Sequence, residues 1–254
     1  MKLLQTAERV SQKISDNFVF QRSLLAYLEA SKIIAGDILE IGTGEGYGIE
    51  YLAPKAKTYL TIDKYVSKID PKFENVTFRQ MNIPPFEGIA DNSFDYVVSF
   101  QVIEHIEDDN QYVSEIYRVL KPGGQFIVTT PNIKMSITRN PWHVREYTIQ
   151  ELINLLKKSF STVEAKGVFG NEKAMNYYQK NVASVKKITR FDIFNLQHRL
   201  PRQLLQIPYD ILNRINRKKL LDQNTTLVSQ IHHSDYYIKN ADDQCIDLFY
   251  ISTK

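Results

Sequence analysis

Ile38-Leu39-Glu40-Ile41-Gly42-Thr43-Gly44-Glu45-Gly46-Tyr47-Gly48 decides the fold of this 254-residue chain. The first four residues read as a short buried strand. From Gly42 onward every second residue is glycine, the residue that lets a backbone turn sharply or lie against a ligand. A helix opening just after such a loop offers unpaired N–H groups and a positive dipole end to an anion. Dinucleotide binders use this geometry with the spacing G-x-G-x-x-G. Gly42 and Gly44 fit that spacing, but its third glycine position is Tyr47.

Working outward, strands and helices alternate. Tyr59-Leu60-Thr61-Ile62-Asp63, Val76-Thr77-Phe78-Arg79, Tyr96-Val97-Val98-Ser99-Phe100 and Gln125-Phe126-Ile127-Val128-Thr129-Thr130 read as further strands. A helix is expected over 109–120, ended by Lys121-Pro122-Gly123-Gly124, and a capping box at Thr148-Ile149-Gln150-Glu151 opens another through residue 160. Residues 162–169 read as a sixth strand. Such alternation predicts βαβ units and a sheet covered on both faces. Residues 1–35 read as helices, with Leu24, Leu25, Leu28, Ile33 and Ile34 on an apolar stripe. The alternation stops at 171–232, which reads as a helical insertion, with Pro201 opening one segment and Pro208 breaking or kinking another. Strand character returns at Tyr236-Tyr237-Ile238 and at 246–252.

Apolar residues make up 43% and charged residues 24%, a globular balance that argues against disorder or a fibre. The one cysteine, Cys245, excludes an intrachain disulfide and fits a reducing compartment. No apolar run is long enough to span a bilayer, and charges occupy the N-terminal stretch where a signal peptide needs apolar residues. A cytoplasmic protein is expected. The 32 basic and 29 acidic residues leave a net charge of +3, too small for a general nucleic-acid binder. Residues 171–230, however, carry eleven basic residues against four acidic ones.

Two stretches resemble class I S-adenosylmethionine (SAM) dependent methyltransferases of the type 11/12-like kind. ILEIGTGEGYG is similar to their first motif, E/D-x-G-x-G-x-G. DNSFDYVVSFQVIEHIEDDNQYVSEIYRVLKPGGQFIVTTPN is similar to their fourth-to-fifth strand region. The resemblance covers roughly residues 20–165. It implies a doubly wound, Rossmann-like α/β fold. That fold has a mostly parallel seven-stranded sheet, N-terminal helices, and a helical insertion before the last strand. The chain then divides into an N-terminal cap (1–35), a SAM-binding core (36–170), a helical lid (171–232) and C-terminal strands completing the sheet (233–254).

Carried over residue by residue, the resemblance implies a cofactor site. Gly42, Gly44 and Gly46 line the methionine and ribose part of SAM, with Glu40 organising the loop from beneath. Asp63, at a strand end some 20 residues on, accepts hydrogen bonds from the ribose hydroxyls. Asn82 stands where the family usually has an aspartate for the adenine amino group; an amide both accepts and donates. Ile83 packs on the ring, and Gln101 faces the methionine end.

Two histidines concern the chemistry. His105, beside Glu104, reads as a local structural pair. His143 lies in an H-x-x-E-x-T setting with Glu146 and Thr148, similar to metal-dependent RNA 2′-O-methyltransferases. Gln101 stands where a first metal-binding glutamate would be, and a hard cation wants carboxylates; no metal is assigned. His143 reads as the proton acceptor, because neutral imidazole is available near pH 7. Packing beneath the capping box is its other reading. His232 and His233 receive no role.

The insertion mixes Tyr177, Tyr178, Phe191, Phe194 and Tyr209 with Lys186, Lys187, Arg190, Arg199, Arg202 and Arg214. That mixture suits a small-molecule acceptor, including an anionic one: a glycan, nucleotide-sugar or lipid precursor. Leu204, Pro208, Ile211, Leu212 and Ile215, followed by Arg217-Lys218-Lys219, read either as a lid packed on the sheet or as a peripheral membrane contact through 201–220. The expectation is SAM-dependent O-methylation. A nucleotide-cofactor oxidoreductase and a non-catalytic SAM-binding regulator or scaffold are the alternatives. The sequence leaves the oligomeric state open.

Overall fold

The computed structural model describes residues 10–67, 72–190, 192 and 195–254. The helical reading of 1–9 and the aromatics Phe191 and Phe194 lie outside them. A short 3₁₀ turn, Ile14–Asp16, leads into α1 (Asn17–Ala30). Strand β1 (Gly36–Ile41) enters the glycine loop, followed by α2 (Ile49–Leu52) and β2 (Ala56–Asp63). Strands β3 (Val76–Gln80) and β4 (Phe94–Phe100), helix α3 (Asp109–Val119), β5 (Leu120–Pro131), α4 (Ile149–Leu156) and β6 (Thr162–Gly170) come next. The insertion folds as α5 (Glu172–Thr189), α6 (Leu196–Arg199), α7 (Arg202–Gln223) and α8 (Thr225–Ser229). Strands β7 (Tyr236–Asn240) and β8 (Asp247–Thr253) close the chain.

The sheet has eight strands, one more than expected, in the order β3-β2-β1-β4-β5-β8-β6-β7. The pairs β3·β2, β2·β1, β1·β4 and β4·β5 are parallel. Strand β8 runs antiparallel between β5 and β6, and β7 adds an antiparallel outer edge to β6. Alternating residues feed opposite faces: Leu39, Val97 and Phe126 pack with α3 and α4, while Ile38, Val98 and Ile127 pack towards α1, α5 and α8. Both faces are therefore covered, as the near-continuous apolar strands require.

Four local expectations change. The helix after the glycine loop is a single turn, so the loop's own backbone shapes the site. Pro208 lies inside α7 without ending it. Ile33 lies past the end of α1 and is exposed, while Leu24, Leu25 and Ile34 are buried. The Thr148–Glu151 capping box is present as expected, though α4 ends at Leu156 rather than at 160.

Candidate active site

Strand order reverses between β1 and β4, so the loops leaving these two strands part over a crevice at the C-terminal edge of the sheet. Gly42, Gly44 and Gly46 have φ of 89°, 57° and 81°. Side chains with a Cβ rarely adopt that region. A Cβ on Gly42 would also sit 2.5 Å from Val102 Cγ2. Glycine at 42 thus lets the loop after β1 touch the loop after β4.

A buried polar chain supports this loop from below. Glu40, 2% exposed, accepts hydrogen bonds from the hydroxyls of Tyr27 at 2.9 Å and Thr61 at 2.6 Å. Thr61 in turn meets Thr43 of the loop at 2.7 Å. Burial pushes the Glu40 carboxyl above its ordinary range, against the pull of those donors. Tyr27 belongs to α1, and its ring leaves no room for a Cβ on Gly48. The N-terminal helix is thereby locked to the loop.

Asp63 ends β2 beside the glycines. Its Oδ2 accepts the Gly44 N–H at 2.9 Å, and its Oδ1 accepts the Tyr65 N–H at 2.8 Å. The segment after β3 is anchored there too, through Met81 N–H to Asp63 O at 2.9 Å. It carries Asn82, which is exposed, and Ile83, which is partly buried against the core. Gln101 directly follows β4 with a φ of 57°, its N–H bonded to Thr129 O and its amide to Thr129 Oγ1. The structure thus gathers Glu40, Gly42, Gly44, Gly46, Asp63, Asn82, Ile83 and Gln101 at one sheet edge.

A cavity of about 560 Å³ is walled by α1, the segment after β5, α5 and α7; none of those eight residues lines it, and its wall reaches them through Asp247, which faces Gln101. His143 and Glu146 line it. His143 Nδ1 donates to Glu146 Oε1 at 2.7 Å, and its Nε2 accepts from Asn140 Nδ2 at 2.8 Å. Glu146 also accepts from Ser136 Oγ. A carboxylate at Nδ1 fixes the tautomer whose basic nitrogen is Nε2. His105 lies edge-to-face with His143, ring centroids 5.0 Å apart, and its Nδ1 donates to Trp142 O. One ligand-type atom each from Glu104, His105 and His143 lie within 4.8 Å of one another. The buried Glu104 carboxylate meanwhile accepts from Thr130 Oγ1 at 3.0 Å.

The cavity also holds residues that sequence reasoning missed. Arg22 of α1 and Asp247 of β8 pair at 2.8 Å, and both line the wall. Asp247 is buried, and its carboxyl faces Gln101 as well as Arg22. Burial raises the Asp247 carboxyl against the opposing Arg22 cation. Phe18 joins the expected Tyr177, Tyr178 and Tyr209 in supplying aromatic surface. No local pattern marks Arg22 or Asp247, because they meet only through the sheet. Lys186, Lys187 and Arg190 do not join them. They are exposed on the side of α5 opposite the cavity-lining Val185, Ile188 and Thr189. The lid is tied to the histidine segment by Trp142 Nε1 donating to Asp210 at 3.0 Å and by Arg139 donating to Gln197 O at 2.8 Å.

A family model described as a methyltransferase domain matches residues 39–128. A probable S-adenosylmethionine-dependent methyltransferase of Mycolicibacterium smegmatis is 39% identical over 175 residues, covering 65% of this chain and 68% of that protein. Another from Mycobacterium tuberculosis is 37% identical over 164 residues, 61% of this chain and 60% of that one. Among solved structures, a SAM-dependent methyltransferase from Thermotoga maritima is similar over 97% of both chains, with a TM-score of 0.55 at 16% identity. That last likeness concerns the fold.

Proposed function

The chain belongs to the S-adenosylmethionine-dependent methyltransferases, and from that premise we propose that it methylates a hydroxyl of a small molecule held in the cavity lined by His143 and Asp247. The carrying observation is the His143–Glu146 pair on the wall of that cavity.

The loop suits SAM. Three glycines with positive φ leave backbone exposed where side chains would otherwise stand, and the Asp63 carboxylate flanks them. Gly42, Gly44, Gly46 and Glu40 would hold and shape the methionine and ribose side, Asp63 the ribose hydroxyls, Asn82 and Ile83 the adenine, and Gln101 the methionine end. SAM supplies a methyl group on a positively charged sulfur. The chain's own task is to hold the acceptor oxygen in line and take its proton. His143 Nε2, made basic by Glu146 at Nδ1, is the proposed proton acceptor. Asn140 holds the ring until the acceptor hydroxyl takes its place. Asp247, paired with Arg22 and facing Gln101, links the cavity wall to the methionine end of the proposed cofactor site.

The aromatic walls suit a sugar ring or another flat apolar face, so a glycan, nucleotide-sugar or lipid precursor is the proposed acceptor class. Three arginines (Arg22, Arg139, Arg217) and three carboxylates (Glu146, Asp192, Asp247) line the cavity. That balance favours a polar acceptor of small net charge over one recruited by the outward-facing lysines of α5. The test is mass-spectrometric screening of cell extract for a SAM-dependent gain of one methyl group, repeated with His143→Ala. A native-like yield of an O-methylated product from the variant would overturn the role of His143. A product methylated on nitrogen or carbon would overturn the hydroxyl assignment.

A further inference from the structure

Six of the twelve exposed large apolar side chains among the described residues fall within residues 196–215. On α7, Leu204, Ile207, Ile211 and Ile215 are 64%, 72%, 55% and 57% exposed. Their spacing of i, i+3, i+7 and i+11 puts them on one face. The stripe runs about 16 Å along the helix, at about 1.5 Å per residue. None of the four lines the cavity; Leu205, Tyr209, Asn213 and Asn216 on the other side of α7 do. The stripe is therefore surplus to the lid's own packing. An apolar row this long and this exposed calls for a covering surface.

Charge decides among coverings. Arg214, Lys218 and Lys219 are exposed and flank the stripe, and Arg199 is exposed just before the helix. The acid in phase with the stripe is Asp222, in the last turn. In a two-fold pairing of this face with a second copy, cations at both ends of the stripe would oppose cations. Anionic headgroups would instead neutralise them while the aliphatic side chains enter the acyl boundary. We propose that α7 seats the protein on an anionic lipid bilayer through Leu204, Ile207, Ile211 and Ile215, with Arg214, Lys218 and Lys219 at the headgroup level. This rests on the surface of α7 alone and stands whichever acceptor the cavity takes.

The test is co-sedimentation of the full chain with vesicles of phosphatidylcholine, with and without phosphatidylglycerol. Binding is expected only with phosphatidylglycerol, weakening as salt rises. Ile207→Ser/Ile211→Ser alters two exposed side chains, so its thermal unfolding should match the native protein while its vesicle binding falls tenfold or more. Lys218→Gln/Lys219→Gln should weaken binding roughly thirtyfold, about what two juxtamembrane charges contribute. Absence of binding to phosphatidylglycerol vesicles would overturn the proposal, as would unchanged binding by the Ile207→Ser/Ile211→Ser variant. So would light scattering that shows a dimer abolished by that variant, because the stripe would then be a contact between copies.

Discussion

Asp63→Asn separates two jobs that the structure gives one carboxylate. The native side chain accepts Gly44 N–H through Oδ2 at 2.9 Å and Tyr65 N–H through Oδ1 at 2.8 Å. Asparagine keeps the shape but trades one acceptor oxygen for an amino donor. One of the two backbone donors must lose its partner. The Tyr65 contact is the exposed one, so water replaces it at little cost and the amide oxygen stays on Gly44. The loop then keeps its form, while the edge proposed to receive the ribose hydroxyls loses its charge. A hydrogen bond to a charged group contributes about 1.5–3 kcal/mol and a neutral one about 0.5–1.5 kcal/mol. Two such exchanges amount to about 2–3 kcal/mol before screening, and a half-exposed site keeps only part of that. The expectation is an affinity loss of roughly tenfold or more.

Isothermal titration with S-adenosylhomocysteine reads the affinity, and thermal unfolding reads the loop. Asp63→Asn should move the first and hardly the second. Asp63→Ala should move both, because Gly44 N–H is then left without its acceptor. Native affinity in both folded variants would refute the assignment and put the ribose elsewhere. Equal losses of affinity and of stability in Asn and Ala would show that Asp63 acts only by holding Gly44.

Three further outcomes are expected. His143→Ala should lower turnover by roughly 10²–10⁴-fold, the usual contribution of a positioned base, with SAM affinity unmoved; a native rate would return His143 to packing. EDTA should leave turnover unchanged, since Gln101 replaces a carboxylate ligand and both His143 nitrogens are engaged by Glu146 and Asn140; loss of activity restored by Mg²⁺ or Mn²⁺ would contradict this. Glu40→Gln should gain stability relative to the native protein as pH rises above the ordinary glutamate value of 4.5, because the raised native carboxyl keeps a proton that the unfolded chain has released, and that contribution is lost on passing through the raised value. Paired unfolding curves between acid and neutral pH measure it, and a difference that is flat or falls with pH counts against the buried-carboxyl account.

What was legible in the sequence was local. The glycine loop shows because glycine at every second position has a backbone reason, and Asp63 shows because it ends an apolar strand. Thr148 and Glu151 show as a cap because the motif spans four residues. His143 and Glu146 show together as an H-x-x-E-x-T motif through the family resemblance, and the two side chains meet. What depended on pairing across the sheet was not legible. The wedging of β8 between β5 and β6 has no sequence signature, and it is what brings Asp247 to Arg22, 225 positions away. The basic residues of α5 were legible as a cluster but not in phase. Only the helix rotation shows that Val185 and Ile188 face the cavity while Lys186, Lys187 and Arg190 face away.

Helix α7 shows why two readings of one segment could both be drawn from its sequence. A lid and a membrane-surface helix each need an apolar face, and hydrophobic spacing alone cannot say how many faces there are. Leu205, Tyr209 and Asn216 form one face, against the cavity. Leu204, Ile207, Ile211 and Ile215 form another, against solvent. Pro208 lines the cavity with the inner face and lies inside the helix without ending it. The outer stripe and part of the cavity wall are thus built by one helix from different residues. A Ser substitution at Ile207 or Ile211 can be asked about a surface, and one at Leu205 or Tyr209 about an acceptor, without either confusing the other.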